Sequence, residues 1–261
     1  MINTANLLYQ KVNNHTLAPI QDKEANLAAN AGSGTQGEGN LLSKFLNAQA
    51  VINMPAVKHT TSYKNDLRTL FNNNQAKILA IIPRTFNAQD TNGNEYIDGN
   101  EKNGTFLNAI ERLDEVKASG FNTLHVLPVH PPGKKKAMGT AGSIYAPNGF
   151  LEFDNVLIEA NDPRNPKEQC KAFIDACHER GIRVMLDLPS CASYDMFLAQ
   201  PELMAIERDG LAKTPQGWND IRMFQPWEDE AKRTLNPHLI ELHKKYIDMC
   251  IELGVDGIRA D

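Results

Sequence analysis

The sequence predicts an α/β fold on a parallel sheet, best described as the first four strand–helix units of a (β/α)8 barrel behind a disordered N-terminal leader. Three observations point there. Apolar, strand-like runs alternate with amphipathic, helix-like segments from residue 77 to the end of the 261-residue chain. The joins between helix and strand are short, as right-handed crossovers between parallel strands require. Charged residues gather just past the strand ends, at Arg84, Asp187, Arg259 and Asp261, where barrel enzymes keep their chemistry. An open doubly wound sheet shares this grammar, but no G-x-G-x-x-G follows the first strand, which weighs against its dinucleotide-binding version. Strand order separates the two: sequential for a barrel, reversed at one point for a doubly wound sheet.

The elements follow in order. "KILAIIPRTF" is a continuous apolar run ending at a proline, as a strand buried on both faces reads. "TFLNAIERLDEVKASG" places Phe106, Ile110, Leu113 and Val116 at helical spacing, with Gly120 as the stop. "FNTLHVLPV" is the second strand. "NPKEQCKAFIDACHERG" is a helix with Pro166 near its start, Gly181 past its end, and Cys170, Phe173, Ile174 and Cys177 on one face. "IRVMLDLP" is the third strand, followed by an excursion at about residues 190–235. "PHLIELHKKYIDMCIELG" is a helix burying Leu239, Leu242, Tyr246, Met249 and Leu253, and "VDGIRAD" is the fourth strand.

Residues 1–62 form a different region, rich in Asn, Ala, Gly, Ser and Gln, and are expected to be a disordered leader, within which "NLLSKFLNAQAVI" has the pattern of a short docking helix. Residues 63–261 are the expected folded domain. The 41% apolar content suits a sizeable core, and the net charge of −5 argues against a nucleic-acid partner, which needs a concentrated basic surface. The one basic run, Lys134–Lys136, reads as a solvated loop. Cys170, Cys177, Cys191 and Cys250 form no C-x-x-C pair and read as reduced thiols. No apolar stretch is long enough to span a membrane and the N-terminus lacks a secretory signal, so a cytoplasmic location is expected.

The motifs carry a resemblance. From about residue 78 onward the chain resembles the α-amylase family of retaining glycoside hydrolases and transglycosylases. "GVDGIRAD" resembles the family's fourth-strand motif, which implies Asp261 as nucleophile and Arg259 as the arginine that keeps it ionised. "HERGIRVMLDLP" resembles the helix and strand leading to Asp187, and "GSIYAPNGFLEFD" the loop in which Tyr145 lies under the sugar ring; Asp187 and Tyr145 would hold the innermost sugar. The implied substrate is an α-linked glucan or maltooligosaccharide. The resemblance also implies a general-acid glutamate after a fifth strand, so the chain is expected to be a truncated, inactive piece of the parent enzyme, because double displacement needs two carboxylates about 5 Å apart. One departure stands inside the match. Where the family usually has Asn-His after the third strand, this chain has Cys191 and Ala192. That admits a maltosyltransferase-like enzyme, or a non-catalytic glycan- or calcium-binding module.

"DTNGNEYIDGNE" has the spacing of a calcium loop. Asp90, Asn92, Asn94, Asp98 and Glu101 put oxygen-bearing side chains at alternating positions, and Tyr96 offers its backbone carbonyl. Glu95 stands where an EF-hand wants glycine, and a strand rather than a helix precedes the loop. That arrangement resembles the first loop of oligo-1,6-glucosidase-like members of the same family, which binds calcium. Among the remaining residues, His178 reads as a solvated or helix-end histidine rather than a ligand, His125 as a satisfied core residue and His130 as a candidate cleft residue. Trp218 and Trp227 read as the core of the excursion, with Trp218 the better candidate for stacking on a sugar.

Overall fold

A computed structural model describes residues 63–261. The expected leader and its short helix lie outside the described residues. The first helix among the described residues, α1 (Leu67–Asn72), is followed by strand β1 (Ile78–Ile81). Pro83 ends that strand earlier than the apolar run implies, because proline has no N–H for the ladder, and a single turn, α2 (Pro83–Phe86), takes over. The next helix is interrupted. Its ends α3 (Phe106–Ala109) and α4 (Leu113–Ala118) flank a 3-10 turn at Ile110–Arg112, so the spacing of Phe106, Leu113 and Val116 buries one face without a continuous α-helix.

Strand β2 (Thr123–Val126) leads through a long loop to α5 (Pro166–Glu179). Asn165 caps α5 in a reciprocal pair with Glu168, proline opens it, and Gly181 turns left-handed beyond it at φ 63°. Its buried face carries Cys170, Phe173, Ile174 and Cys177, each about 1.5–3 kcal/mol of burial when full-sized and apolar. Strand β3 (Arg183–Leu188) follows, then the excursion: β4 (Cys191–Ser193), α6 (Tyr194–Ala199), β5 (Ile221–Met223), β6 (Trp227–Asp229) and β7 (Thr234–Leu235). Helix α7 (Pro237–Leu253), capped by Asn236 and closed by Gly254 at φ 81°, delivers the chain to β8 (Gly257–Ala260). Leu242 is only partly buried on α7, whereas Leu239, Tyr246, Met249 and Leu253 are in the core.

The main sheet has the order β1-β2-β3-β8, all parallel. That is sequential, with no reversal, so the barrel grammar holds and the doubly wound alternative falls. Leu124, Val126, Val184 and Leu186 pack outward beneath the helices. The alternate residues face the other way: Ala80, His125 and Met185 share a layer with Gly257, and Asp187 stands opposite Arg259 one layer nearer the strands' C-terminal ends. At the other end, Leu67 closes the floor against Gly257, where a Cβ would lie 2.6 Å from Leu67 Cδ2. Any side chain there would push the plug out.

Candidate active site

Five side chains that the sequence singles out or passes over meet at the C-terminal ends of the strands. Asp187, on β3, has a fully buried side chain. Its Oδ2 accepts from the Tyr145 hydroxyl at 2.8 Å and lies 3.0 Å from His125 Nε2. Arg259 Nη1 donates to both of its oxygens at 3.2 Å. The same Nη1 forms an ion pair with Asp261 Oδ1. Tyr246, rising from α7, donates its hydroxyl to the Asp187 carbonyl at 3.0 Å and so ties helix to strand below the site.

The electrostatics follow from this crowding. Burial, then the hydrogen bond to Asp187 and that carboxylate's charge, raise the Tyr145 phenol above its ordinary value, so it stays a donor at neutral pH. Burial alone would lower the Arg259 guanidinium, but the Asp187 charge and hydrogen bond, with Asp261, outweigh it and hold the group above its ordinary value. The Cys191 thiol is pushed up to about 12 by burial and by the carboxylates of Asp261, Asp220 and Asp187. It is a neutral thiol donating to the Tyr145 carbonyl at 3.2 Å.

The structure thus brings Tyr145, Asp187, Arg259 and Asp261 together. It does not place Trp218 among them: that ring is 53% exposed on the excursion, and Trp227 is partly buried. Three histidines differ in part from their sequence reading. His125 is satisfied, as expected, but by the Asp187 carboxylate at the site rather than within the core. His178 does stand in the last turn of α5, but it is not solvated: its side chain is 13% exposed, 2.8 Å from Asp256 and stacked on Tyr63 at 3.7 Å. His130 lines no cleft; it is buried, with Nδ1 2.8 Å from the Glu152 carbonyl oxygen. Asp220, unremarked in the sequence, is 1% exposed, and neither carboxylate oxygen has a hydrogen-bond partner among the described residues. Lys134–Lys136 are exposed as expected, with the Lys136 ammonium 4.1 Å from the centre of the Tyr194 ring.

The loop at residues 90–101 winds on itself through its own side chains. Asp90 accepts from the backbone N–H groups of Gly93, Asn94 and Glu95, and the amides of Asn92 and Asn94 reach the two oxygens of Asp98 at 3.3 and 2.9 Å. Glu101 straps the loop shut, accepting from the N–H groups of Thr91, Asn92 and Asp98. These hydrogen bonds lower its carboxyl below the usual range, the Thr91 hydroxyl contributing most. Asp90, Asn92, Asn94 and Asp98 are an all-oxygen donor set of the kind a hard cation takes, once each amide turns its oxygen inward. The set fits calcium by chemistry, although no group of three or more His, Cys, Asp or Glu poised to hold a metal is present among the described residues.

Solved structures share the architecture. An α-amylase from Lactobacillus plantarum matches with a TM-score of 0.52 over 71% of this chain and 38% of that one, at 24% identity. The chain has the fold of part of such a barrel. Sequence relatives lie in the same neighbourhood. An alpha-1,4-glucan:maltose-1-phosphate maltosyltransferase of Rhodospirillum rubrum is 24% identical over 170 residues, covering 60% of this chain and 24% of that one. A malto-oligosyltrehalose trehalohydrolase of Arthrobacter ramosus is 28% identical over 160 residues, again 60% of this chain and 24% of the relative. The amylase-type half-barrel therefore spans about a quarter of the length of these curated relatives. No protein-family profile matches the chain. No helix among the described residues is long and apolar enough to cross a membrane.

Proposed function

We propose that this half-barrel belongs to an enzyme that cleaves or transfers α-linked glucosyl units by double displacement, with Asp261 as the nucleophile. The observation that carries the reading is the shared guanidinium: Arg259 bridges the buried Asp187 and the more exposed Asp261. The guanidinium holds the Asp261 carboxylate in place beside Asp187, as a positioned nucleophile for an anomeric carbon must be held. Asp187 has its oxygens occupied by protein donors, so its part is to hold Tyr145 and Arg259 in place rather than to grip sugar directly. Tyr145 is left to present its ring to the sugar. The relatives' printed names support an α-glucan or maltooligosaccharide substrate. With Cys191 and Ala192 where the Asn-His pair is expected, they also support transfer to a sugar acceptor over hydrolysis. A cytoplasmic setting fits the four buried, unpaired cysteines.

The test isolates the nucleophile. A 5-fluoro-α-glucosyl fluoride needs no general acid, because fluoride leaves unprotonated: an Asp261 oxygen bonds to C1 as the C1–F bond breaks with its electron pair. Mass spectrometry of the 261-residue chain should find one glycosyl adduct on Asp261. Asp261→Asn should abolish it. Labelling elsewhere, or none, overturns the reading.

We also propose that the loop at residues 90–101 holds a calcium ion through Asp90, Asn92, Asn94, Asp98 and the Tyr96 carbonyl, with Glu101 closing the loop. Two amides in place of carboxylates lower the ligand charge, so affinity should be modest. Millimolar calcium is expected to raise the thermal midpoint by a few degrees, on the order of 1 kcal/mol, and Asp98→Ala to remove that response. An unchanged midpoint and no heat of binding would rule the ion out.

A further inference from the structure

The two oxygens of Asp187 are unequally served. Oδ2 meets three donors, from His125, Tyr145 and Arg259, while Oδ1 has Arg259 alone. The Arg259 nitrogen that makes both contacts also pairs with Asp261, so one Nη1 is divided between two carboxylates. What fills Oδ2 therefore decides how strongly Asp187 draws on the guanidinium.

We propose that His125 is a positioning residue for the nucleophile: by taking a share of Asp187 it leaves Arg259 free to serve Asp261. This rests on the reading of Asp261 as nucleophile given above. His125 is an odd residue for its place. Its layer of the inner face otherwise offers Ala80, Met185 and Gly257, none with a polar side chain. An ionised carboxylate has only lone pairs, so Nε2 must carry the proton in this contact, whatever the charge of the ring. The ring is 17% exposed, and Nδ1 has no hydrogen-bond partner among the described residues. The imidazole is thus committed to Asp187 by a single bond from the neighbouring strand. The charged or titratable groups around it are Asp187 on β3, Tyr145 on the loop and Arg259 on β8, with Asp261 beyond; β1 contributes only Ala80.

Without His125, Oδ2 loses a donor in a place with no access to water, since the Asp187 side chain is fully buried. An unmet buried acceptor is costly, and Arg259 is the neighbouring group with donors to spare. Its guanidinium should shift toward Asp187 and away from Asp261.

His125→Phe and His125→Gln separate this from simple packing, because glutamine restores a donor on a side chain of comparable reach. With the fluoro-glucosyl fluoride, His125→Phe should label Asp261 about tenfold more slowly than the parent chain, with half-saturation by the reagent unchanged within about twofold, and His125→Gln should recover most of the rate. The side-chain Nε–H resonance of Arg259 gives a second readout: it should move in His125→Phe and stay in place in His125→Gln. Equal labelling rates and an unmoved Arg259 resonance would overturn the proposal. A parent chain that never labels defeats the nucleophile reading instead, and the Arg259 resonance then decides the positioning role alone. Should His125→Phe fail to fold, by circular dichroism, His125→Asn replaces it, its amide being too short to reach Oδ2.

Discussion

Asp256→Ala is expected to lower the unfolding free energy by about 3–5 kcal/mol, read as a shift of the urea midpoint at unchanged slope. Asp256 sits at the floor of the half-barrel, one residue before β8, with a side chain 1% exposed. Its Oδ1 accepts from the Tyr63 hydroxyl at 2.5 Å, and its Oδ2 meets His178 Nε2 and the Val184 N–H, each at 2.8 Å. Its backbone carbonyl accepts from Asn65, and its N–H joins the β3 ladder at Val184. One carboxylate therefore fastens three elements: the segment before α1, the end of α5, and the pairing of β3 with β8. Burial, then the Asp256 hydrogen bond and charge, raise the Tyr63 phenol above its ordinary value, so it remains a donor across the neutral range. Truncation strands all three donors at once, and water cannot replace the carboxylate without opening the floor. Tyr63→Phe removes a single donor and should cost only about 1 kcal/mol. A loss below that for Asp256→Ala would mean that the floor is held by the Leu67 plug and the Arg183–Asp66 ion pair instead.

This hub shows where sequence reading stops. Local patterns were legible because their causes are local. The period of Cys170, Phe173, Ile174 and Cys177, the caps at Asn165 and Asn236, and the stops at Gly181 and Gly254 each depend on neighbours within a turn or two. The strand order was legible as one of two alternatives, because short joins force parallel neighbours. The candidate site was legible only through the resemblance of whole motifs to those of the α-amylase family, which grouped Tyr145, Asp187, Arg259 and Asp261. Side chains whose partners lie far along the chain were not legible. His125 meets Asp187 at a separation of 62 residues, and His178 meets Asp256 at 78. A histidine in an apolar strand reads as core until the neighbouring strand supplies a carboxylate. Asp220 gave no signal for the opposite reason: a buried carboxylate with no hydrogen-bond partner among the described residues contradicts what composition leads one to expect. Trp218 was weighed for its ring chemistry, yet an indole's use depends on where the excursion carries it, and spacing is silent on that.

The second large effect is a loss of stability on mild acidification, traced to His130. Its ring is 1% exposed, packed against Phe150 and Tyr246 at centroid distances of 5.5 and 5.6 Å. Nδ1 donates to the Glu152 carbonyl, while Nε2 is buried without a partner among the described residues, as suits a neutral imidazole and not a cation. Burial lowers this group to about 4 from an unfolded value of 6.5, the Glu152 hydrogen bond opposing only in part. Between those values the unfolded chain binds a proton that the native chain refuses, so stability rises with pH across the window and falls as pH drops from about 6.5 toward 4. The full difference is about 3 kcal/mol, large against a typical domain stability of about 5–15 kcal/mol. His243 is also lowered by burial and should add a smaller slope of the same sign. His130→Asn keeps a donor for the Glu152 carbonyl and removes the titration. Its stability should be lower at pH 7 because the aromatic cluster loses volume, but should lack the His130 slope from pH 6.5 to pH 4.5, leaving the smaller contributions of His243 and of Asp154, whose carboxyl is raised by burial and acts with the opposite sign. Urea midpoints measured across that range for both proteins check the point: parallel pH profiles would show that the imidazole finds a way to charge in place, by drawing water to Nε2 or by turning its ring out of the core.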